Sequence, residues 1–414
     1  MQRELPSNNN VAIGAIFKNE HPFILEWLAY HQCLGINNFY IADNISTDGS
    51  SELLAALDTI GLINRIPYPT QPNTPPQLGA YREILKNVKP EEWIAFIDAD
   101  EFFSPQDYED GLTSIKPLLD NPEIGAISIN WAVYGSSYSI LPSNDLVIER
   151  FTHHATEHHT VNKHYKSIVR VGAVTDTGST PHAFDISHDH RFVMVNGIDQ
   201  DKKDGIGELT VWSPLRINHY VIKSKAEFIN KKASRGRATT LKESMARDIS
   251  FFKGHDLNHH EDHVPQWFID KVKFKMSEII NKLSDVGYHY SVEQPCIPVY
   301  KTKKGLGVGF VDALSKNDSV FELRGWAIDT YKESVHSLLI ILNNMHPVSP
   351  EEYILVARND VHRKGISSEL NVGFRSLFRM PNMKIHTFNV YALDKNGLVC
   401  AELGVNSILS EVLC

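Results

Sequence analysis

The feature that most constrains this chain is an alternation. Over its first hundred residues, short apolar runs and amphipathic stretches take turns, each bounded by Gly, Pro, Asp or Asn. "VAIGAIF" (Val11 to Phe17) is a near-continuous apolar run, the composition a parallel strand needs when both its faces are covered. "HPFILEWLAYHQCLG" follows as a helix, with Pro22 in its first turn and Gly35 at its stop. "NNFYIADN" reads as a second strand, "TDGSSELLAALDTIG" as a second helix capped from Asp48 or Ser50, and "LINRIPY" as a third strand. "PPQLGAYREILKNV" and "EWIAFIDADEFF" supply a third helix and a fourth strand. Strand and helix alternating at this spacing predict an α/β fold, a Rossmann-like and mostly parallel sheet flanked by helices.

Polar residues collect at one edge of that predicted sheet. The first strand runs into Lys18, Asn19 and Glu20, the second into Asp43 and Asn44, and the fourth into Asp98, Asp100 and Glu101. All are C-terminal strand ends, where open α/β sheets bind ligands. On an extended backbone Asp98 and Asp100, at i and i+2, share a face, and two carboxylates that close repel unless a proton or cation intervenes. Oxygen ligation at such a place suits Mg²⁺ or Mn²⁺, which retain waters and take further ligands from substrate phosphates. The competing explanation is that one of these acids merely caps the turn before "SPQDYED".

Composition excludes several classes. At 42% hydrophobic and 22% charged, with a net charge of −9, the chain is an ordinary globular protein and not a general nucleic-acid binder. Four cysteines without CxxC spacing speak against a disulfide framework or a cysteine zinc site. The histidines of "HHATEHH" come without an HExxH motif and read as a polar loop. "MQRELPSNNN" lacks the apolar core of a signal peptide, and the expected location is cytoplasmic, at most at the inner face of a membrane.

The segments "FKNEHPFILEWLAYHQCLGINNFYIADNISTDGS", "PPQLGAYREIL", "WIAFIDADEFF", "KSIVR" and "INHYVIKSKAEFINKKASRG", in that order over roughly residues 11 to 237, resemble GT-A glycosyltransferases of the family-two-like group and the related family-ninety-two (DUF23-type) enzymes. The resemblance implies a nucleotide-sugar donor, typically UDP-linked, and a divalent metal, Mn²⁺ or Mg²⁺. It implies that Asp43, with Asn44 beside it, contacts the nucleoside and that Asn19 and Glu20 form the first donor loop. Asp98 and Asp100 match the family's DxD pair at the metal, Asp100 as direct ligand and Asp98 nearer the ribose or a coordinated water. His219 in "NHY" falls where such enzymes place a further metal ligand, and imidazole favours Mn²⁺. Lys223, Lys231, Lys232, Arg235 and Arg237 read as a cationic wall for the diphosphate, or as a solvated basic face. Lys166 matches the family's donor-side strand.

Transfer with inversion, which the resemblance implies, needs a general base for the acceptor hydroxyl. "PHAFDISHDHR" offers Asp185 first and His182 second, with Glu157 a third candidate. The expected acceptor is a glycan or glycolipid of bacterial surface-polysaccharide synthesis. Peripheral membrane attachment and a homo-oligomer are compatible with this composition, whereas a nucleic-acid partner is not. Haloacid-dehalogenase phosphohydrolases carry Asp-x-Asp after the first strand, and nucleotidyltransferases show a Gly-rich loop where this chain has "FKNEHP"; neither fits. A catalytically silent sugar-binding or scaffolding protein is the alternative from another class.

Beyond residue 300 the pattern changes. "SVFELRGWAID", "SLLIILNN", "YILVARNDV", "VGFRSLF", "HTFNVYALD" and "LVCAEL" are short β-type runs between turns, predicting an appended all-β sandwich. "EQPCIPVYKTKKGLG" reads as the linker, which divides the chain into a GT-A domain over 1–298 and an accessory β domain over 299–414. Trp326 reads as a core residue in preference to a sugar platform.

Overall fold

The structure is a computed structural model that describes residues 11–71, 73–200, 204–232, 247–291, 301–317, 320–381 and 383–405. The chain divides into two compact units. The first comprises Met1–Ser137, Asp145–Lys223 and Lys232–Glu293; the second comprises Tyr138–Asn144, Ser224–Lys231 and Gln294–Cys414.

In the first unit the predicted alternation is realised as β1 (Val11–Phe17), α1 (His21–Cys33), β2 (Phe39–Asp43), α2 (Ser50–Thr59), β3 (Asn64–Pro67), α3 (Pro76–Leu85) and β4 (Trp93–Phe96). The four strands are parallel in the order β3-β2-β1-β4. Further strands are β5 (Glu101–Pro105), β6 (Ile124–Val133), β7 (His153–His154), β8 (Tyr165–Arg170), the hairpin β9 (Val174–Thr180) and β10 (Ala183–Ile186), β11 (Arg191–Met194), β12 (Leu215–His219) and β13 (His260–Glu261). Of these, β8, β6, β12 and β5 extend the sheet beyond β4, with β8 antiparallel to both β4 and β6 and β5 antiparallel to β12.

Both sheet faces are covered, as the apolar strands require. Trp27 and Tyr30 of α1, Leu53 and Leu57 of α2, and Phe268 and Leu283 of the helix Gln266–Asp285 fill one side. On the other, Ala80, Tyr81 and Ile84 of α3 pack with Ile94, Phe96, Tyr165 and Phe184. Among the described residues no helix is long and apolar enough to cross a membrane.

The fourth strand departs from expectation. It stops at Phe96, residues 97–100 turn, and Glu101 opens a separate strand that pairs with β12. The Glu101 amide donates to the Asp98 carbonyl at 3.1 Å, closing the turn. Trp27 pins it from below, its indole N–H donating to the carbonyls of Asp98 (3.2 Å) and Glu101 (2.9 Å).

The second unit is β-rich, with an eight-stranded sheet of β14 (Thr302–Asn317), β15 (Val320–Ile328), β16 (Ser337–Leu342), β17 (His346–Val348), β18 (Glu352–Val356), β19 (Gly373–Arg379), β20 (Phe388–Leu393) and β21 (Val399–Val405), and a short helix over Asn359–Arg363. The stretch "KTKKGLG", read from sequence as part of a linker, belongs to β14 from Thr302 onward. Gly307 allows close packing there. A Cβ on Gly307 would lie 1.9 Å from the Ile328 carbonyl oxygen. Trp326 is half-buried and packs beside Ile328, Val361 and Val372. Ile140, Leu141 and Ala226 join Leu339, Ile341, Tyr391 and Val399 in one apolar cluster of this unit. The unit's core therefore draws on segments from early in the chain.

Candidate active site

The turn after β4 sends its two aspartates apart. Because residues 97–100 are not extended, Asp98 and Asp100 do not share a face as the i, i+2 spacing predicted. Asp98 Oδ1 accepts a hydrogen bond from Gln77 Nε2 at 3.0 Å, and Oδ2 lies 3.0 Å from Lys166 Nζ. Gln77 is steadied in turn by the Tyr81 hydroxyl, one helical turn along α3, at 2.9 Å. Glu101 is wholly buried; its Oε2 accepts the Asp98 amide at 2.7 Å and sits 3.6 Å from Lys166 Nζ. Burial pushes the Glu101 carboxyl above its ordinary range, while Lys166 pulls it back. Burial also opposes the charge on Lys166, but Asp98 and Glu101 outweigh it and hold the ammonium firmly protonated.

Asp100 faces the other way, its Oδ1 3.6 Å from His219 Nε2, with both side chains under a tenth exposed. Strand register explains the meeting: His219 ends β12 opposite Glu101 of β5, so the imidazole rises beside the turn. Two donors sharing one ion at about 2.1 Å each would lie roughly 3.0–3.5 Å apart. The observed 3.6 Å is close to that, and a carboxylate with an imidazole is a donor set that Mn²⁺ accepts. Asp100 and His219 therefore fit as a two-ligand half site. Asp98 does not complete it, because both its oxygens are engaged elsewhere. Among the described residues no three His, Cys, Asp or Glu side chains converge on one metal position.

The remaining candidates sort by burial and partners. Asp43 is fully buried; Oδ2 takes Arg65 Nε (3.0 Å) and Nη2 (2.7 Å), and Oδ1 takes the Ser51 hydroxyl (2.8 Å). Asn44 is likewise committed, donating to the Tyr68 carbonyl and accepting from Thr70. Asn19, at φ +54°, accepts the Thr47 amide at 2.9 Å, and the Glu20 amide donates to the Ser50 hydroxyl at 2.8 Å. These contacts stitch the first loop to the loop after β2. Lys223 is buried with its ammonium 4.4 Å from the Phe23 ring centroid, so the phosphate wall expected of it is not formed by this residue. Arg235 and Arg237 lie outside the described residues, as do the side chains of Lys231 and Lys232.

Of the base candidates, Asp185 stands exposed on the β9–β10 hairpin, opposite Asp176. His182 is brought in. Its ring centroid is 5.2 Å from Trp131, which also touches His219 (4.3 Å) and His164 (4.9 Å). His182 Nδ1 lies 3.0 Å from the Tyr165 carbonyl, which only accepts, so Nδ1 carries the proton and Nε2 keeps its lone pair. Burial, helped by the positive charge of Lys166, holds this imidazole well below its ordinary range, and it stays neutral. The backbone carbonyl of Glu157, the third candidate, accepts from Asn162 Nδ2 at 3.4 Å. The "HHATEHH" loop forms the small β7–β13 pair, where His154 faces His260.

Gln77, Trp27 and Trp131 were missed from sequence. The pair Gln77 and Tyr81, at i and i+4 just after two prolines, was a usable signal; Trp131, inside an apolar strand, had none. Register places Lys166 opposite Ile129 and Trp131 opposite Ile217, so Lys166, Trp131 and His219 lie on one face of the sheet.

Residues 11–199 match the family model for glycosyltransferase family 92. A glycosyltransferase family 92 protein of Arabidopsis thaliana is 26% identical over 224 residues, covering 51% of this chain and 35% of that protein. One from Oryza sativa subsp. japonica is 27% identical over 134 residues, covering 31% and 22%. The chain thus spans about a third or less of the length of these relatives. Among solved structures, S. aureus TarS 1–349 in complex with UDP aligns over 69% of this chain and 94% of its own, with a TM-score of 0.30 and 11% identity. Glucosyl-3-phosphoglycerate synthase from Mycobacterium tuberculosis, in complex with Mn²⁺, UDP and glucosyl-3-phosphoglycerate, aligns over 30% and 45%, with a TM-score of 0.22 and 17% identity.

Proposed function

We propose that this chain, whose residues 11–199 carry a GT-A-like glycosyltransferase domain of the family-ninety-two kind, transfers a hexose from a UDP-sugar to a glycan or glycolipid acceptor in a metal-dependent, inverting reaction. The observation that carries the reading is the paired arrangement at the turn after β4: Asp100 with His219, and Asp98 with Lys166. Asp100 and His219 would hold the ion, and a bound divalent ion supplies Lewis-acid stabilisation of the departing diphosphate. The chain's own residues do the rest. Trp27 and the buried Glu101 fix the turn, which keeps Asp100 aimed at His219. His182, neutral and with Nε2 unprotonated, is the base candidate carried to the site, and its lone pair can accept from an acceptor hydroxyl. The setting we propose is bacterial surface-polysaccharide assembly at the cytoplasmic face of the membrane, in keeping with free thiols at Cys33 and Cys400.

The test is a nucleotide-sugar panel with and without Mn²⁺, read as nucleoside diphosphate release, for the wild type and Asp100→Ala. Metal-dependent release with a UDP-sugar, lost in the variant while its melting temperature holds, is the expected result. Absence of metal-dependent release with every donor, or an unaffected variant, rejects the reading.

A further inference from the structure

The loop over residues 204–212 is tied to the wall of the ring cluster and still holds two aliphatic side chains in water. The Tyr165 amide donates to the Gly205 carbonyl at 3.2 Å, and the Gly207 amide to the Lys163 carbonyl at 2.8 Å. The Val211 amide donates to Asn130 Oδ1 at 3.0 Å, and the Trp212 indole to the Trp131 carbonyl at 2.9 Å. Close approach demands glycine at 205, where φ is +92° and a Cβ would lie 2.5 Å from His182 Cβ. His164 and Ile206 are thereby directly opposite in an antiparallel bridge, the non-hydrogen-bonded kind whose side chains stand closest and on one face. The His164 ring lies 4.9 Å from Trp131 and 5.8 Å from His182 between centroids, so Ile206 continues the surface that Trp131, His182 and His219 begin. Ile206 is 44% exposed and Leu209, three residues on, 59%. With the backbone fastened on both sides of Ile206, this is not the exposure of a frayed segment. Apolar surface held in water beside a site gains when the apolar part of a ligand covers it.

We propose that Ile206 and Leu209 hold the apolar tail of a lipid-linked acceptor, whose sugar lies toward Trp131 and His182. The inference rests on the function proposed above and narrows its acceptor from glycan or glycolipid to glycolipid. Three features select this occupant. The patch is continuous with the ring cluster, so a ligand seated against Trp131 and His182 reaches it through His164. Two side chains match the width of one alkyl chain and fall far short of a protein–protein interface. Asp204 and Glu208 stand exposed beside them, which suits an uncharged chain and opposes docking on an anionic lipid surface.

The probes are methyl and octyl β-D-glucoside, which share a headgroup and differ only in the alkyl chain. Each is titrated below the micelle concentration, with Mn²⁺ and UDP present, and followed by calorimetry. The proteins are wild type, Ile206→Asn, Leu209→Asn and the double variant, each checked for a cooperative melt. A methylene withdrawn from water is worth roughly fourfold in affinity, so covering two or three should make the octyl glucoside at least about tenfold tighter than the methyl. The ratio should fall in each single variant and shrink to within about twofold in the double variant. A wild type that binds octyl glucoside no more tightly than methyl glucoside overturns the proposal, and that arm stands even if a variant does not fold. So does a folded double variant that keeps the preference. Light scattering covers the rival occupant: a wild-type dimer that turns monomeric in the double variant gives the patch to a second copy and overturns the proposal. Mn²⁺-dependent UDP release by the wild type separates the two readings. Its absence rejects the function proposed above, whereas release without any alkyl preference rejects only the lipid-linked acceptor.

Discussion

Glu26 offers a prediction whose size follows from the structure. It lies on α1, 4% exposed, and its carboxylate accepts the amides of Val147 (2.9 Å) and Ile148 (3.1 Å). Burial raises its pKa from 4.5 to about 7, despite those two hydrogen bonds and the nearby charges of Arg150 and Lys223. Between those two pH values the native state holds a proton that the unfolded chain has released. Stability is therefore full below the unfolded value and falls as pH rises through the native one. The difference of about 2.5 pH units corresponds to about 3 kcal/mol. In Glu26→Gln this titration is absent. Urea unfolding of both proteins at pH 5, 6, 7 and 8, followed by tryptophan emission, isolates the effect, since every tryptophan except Trp326 lies in the first unit. The wild type should lose about 2.5 kcal/mol relative to the variant between pH 5 and pH 8, the remainder having gone below pH 5, with other titrating groups cancelling in the difference. Parallel pH profiles would refute the argument that burial dominates at this carboxyl.

Trp27→Phe keeps the ring but removes the donor shared by the Asp98 and Glu101 carbonyls; it should cost about 2 kcal/mol and weaken Mn²⁺–UDP binding, measured by thermal melting and calorimetry. Melting unchanged would mean the turn is held by other contacts. Arg65→Met strands the fully buried Asp43 carboxylate and should destabilise by about 3–5 kcal/mol, with much of the loss recovered when Asp43→Asn is added. A double variant as unstable as the single one would show that charge burial is not the cause. A fragment ending at Glu293 would uncover Ile140, Leu141 and Ala226, whose apolar partners lie beyond residue 338, and should aggregate on size exclusion. A monodisperse, fully folded fragment would contradict this.

The alternation of apolar runs with amphipathic stretches was enough to predict an α/β sheet with a β-rich unit after it, and to place the acids at the C-terminal edge of the strands. That information is local: a period of two or 3.6 residues, a proline at a helix start, a glycine at its stop. What each acid does was not local. Asp98 meets Lys166 across 68 positions of sequence, and Asp100 meets His219 because β5 and β12 pair in one register. A one-residue slip would turn His219 to the opposite face. The same holds for "KTKKGLG", which reads as linker by itself but is strand from Thr302 onward because β14 pairs with β15 and β21, with Gly307 at a close backbone approach. Sequence determined which kinds of element form and which edge is polar. Tertiary packing decided which carboxylate is neutralised by a buried ammonium and which is left to meet an imidazole, because charge pairing depends on distances that only the folded chain sets.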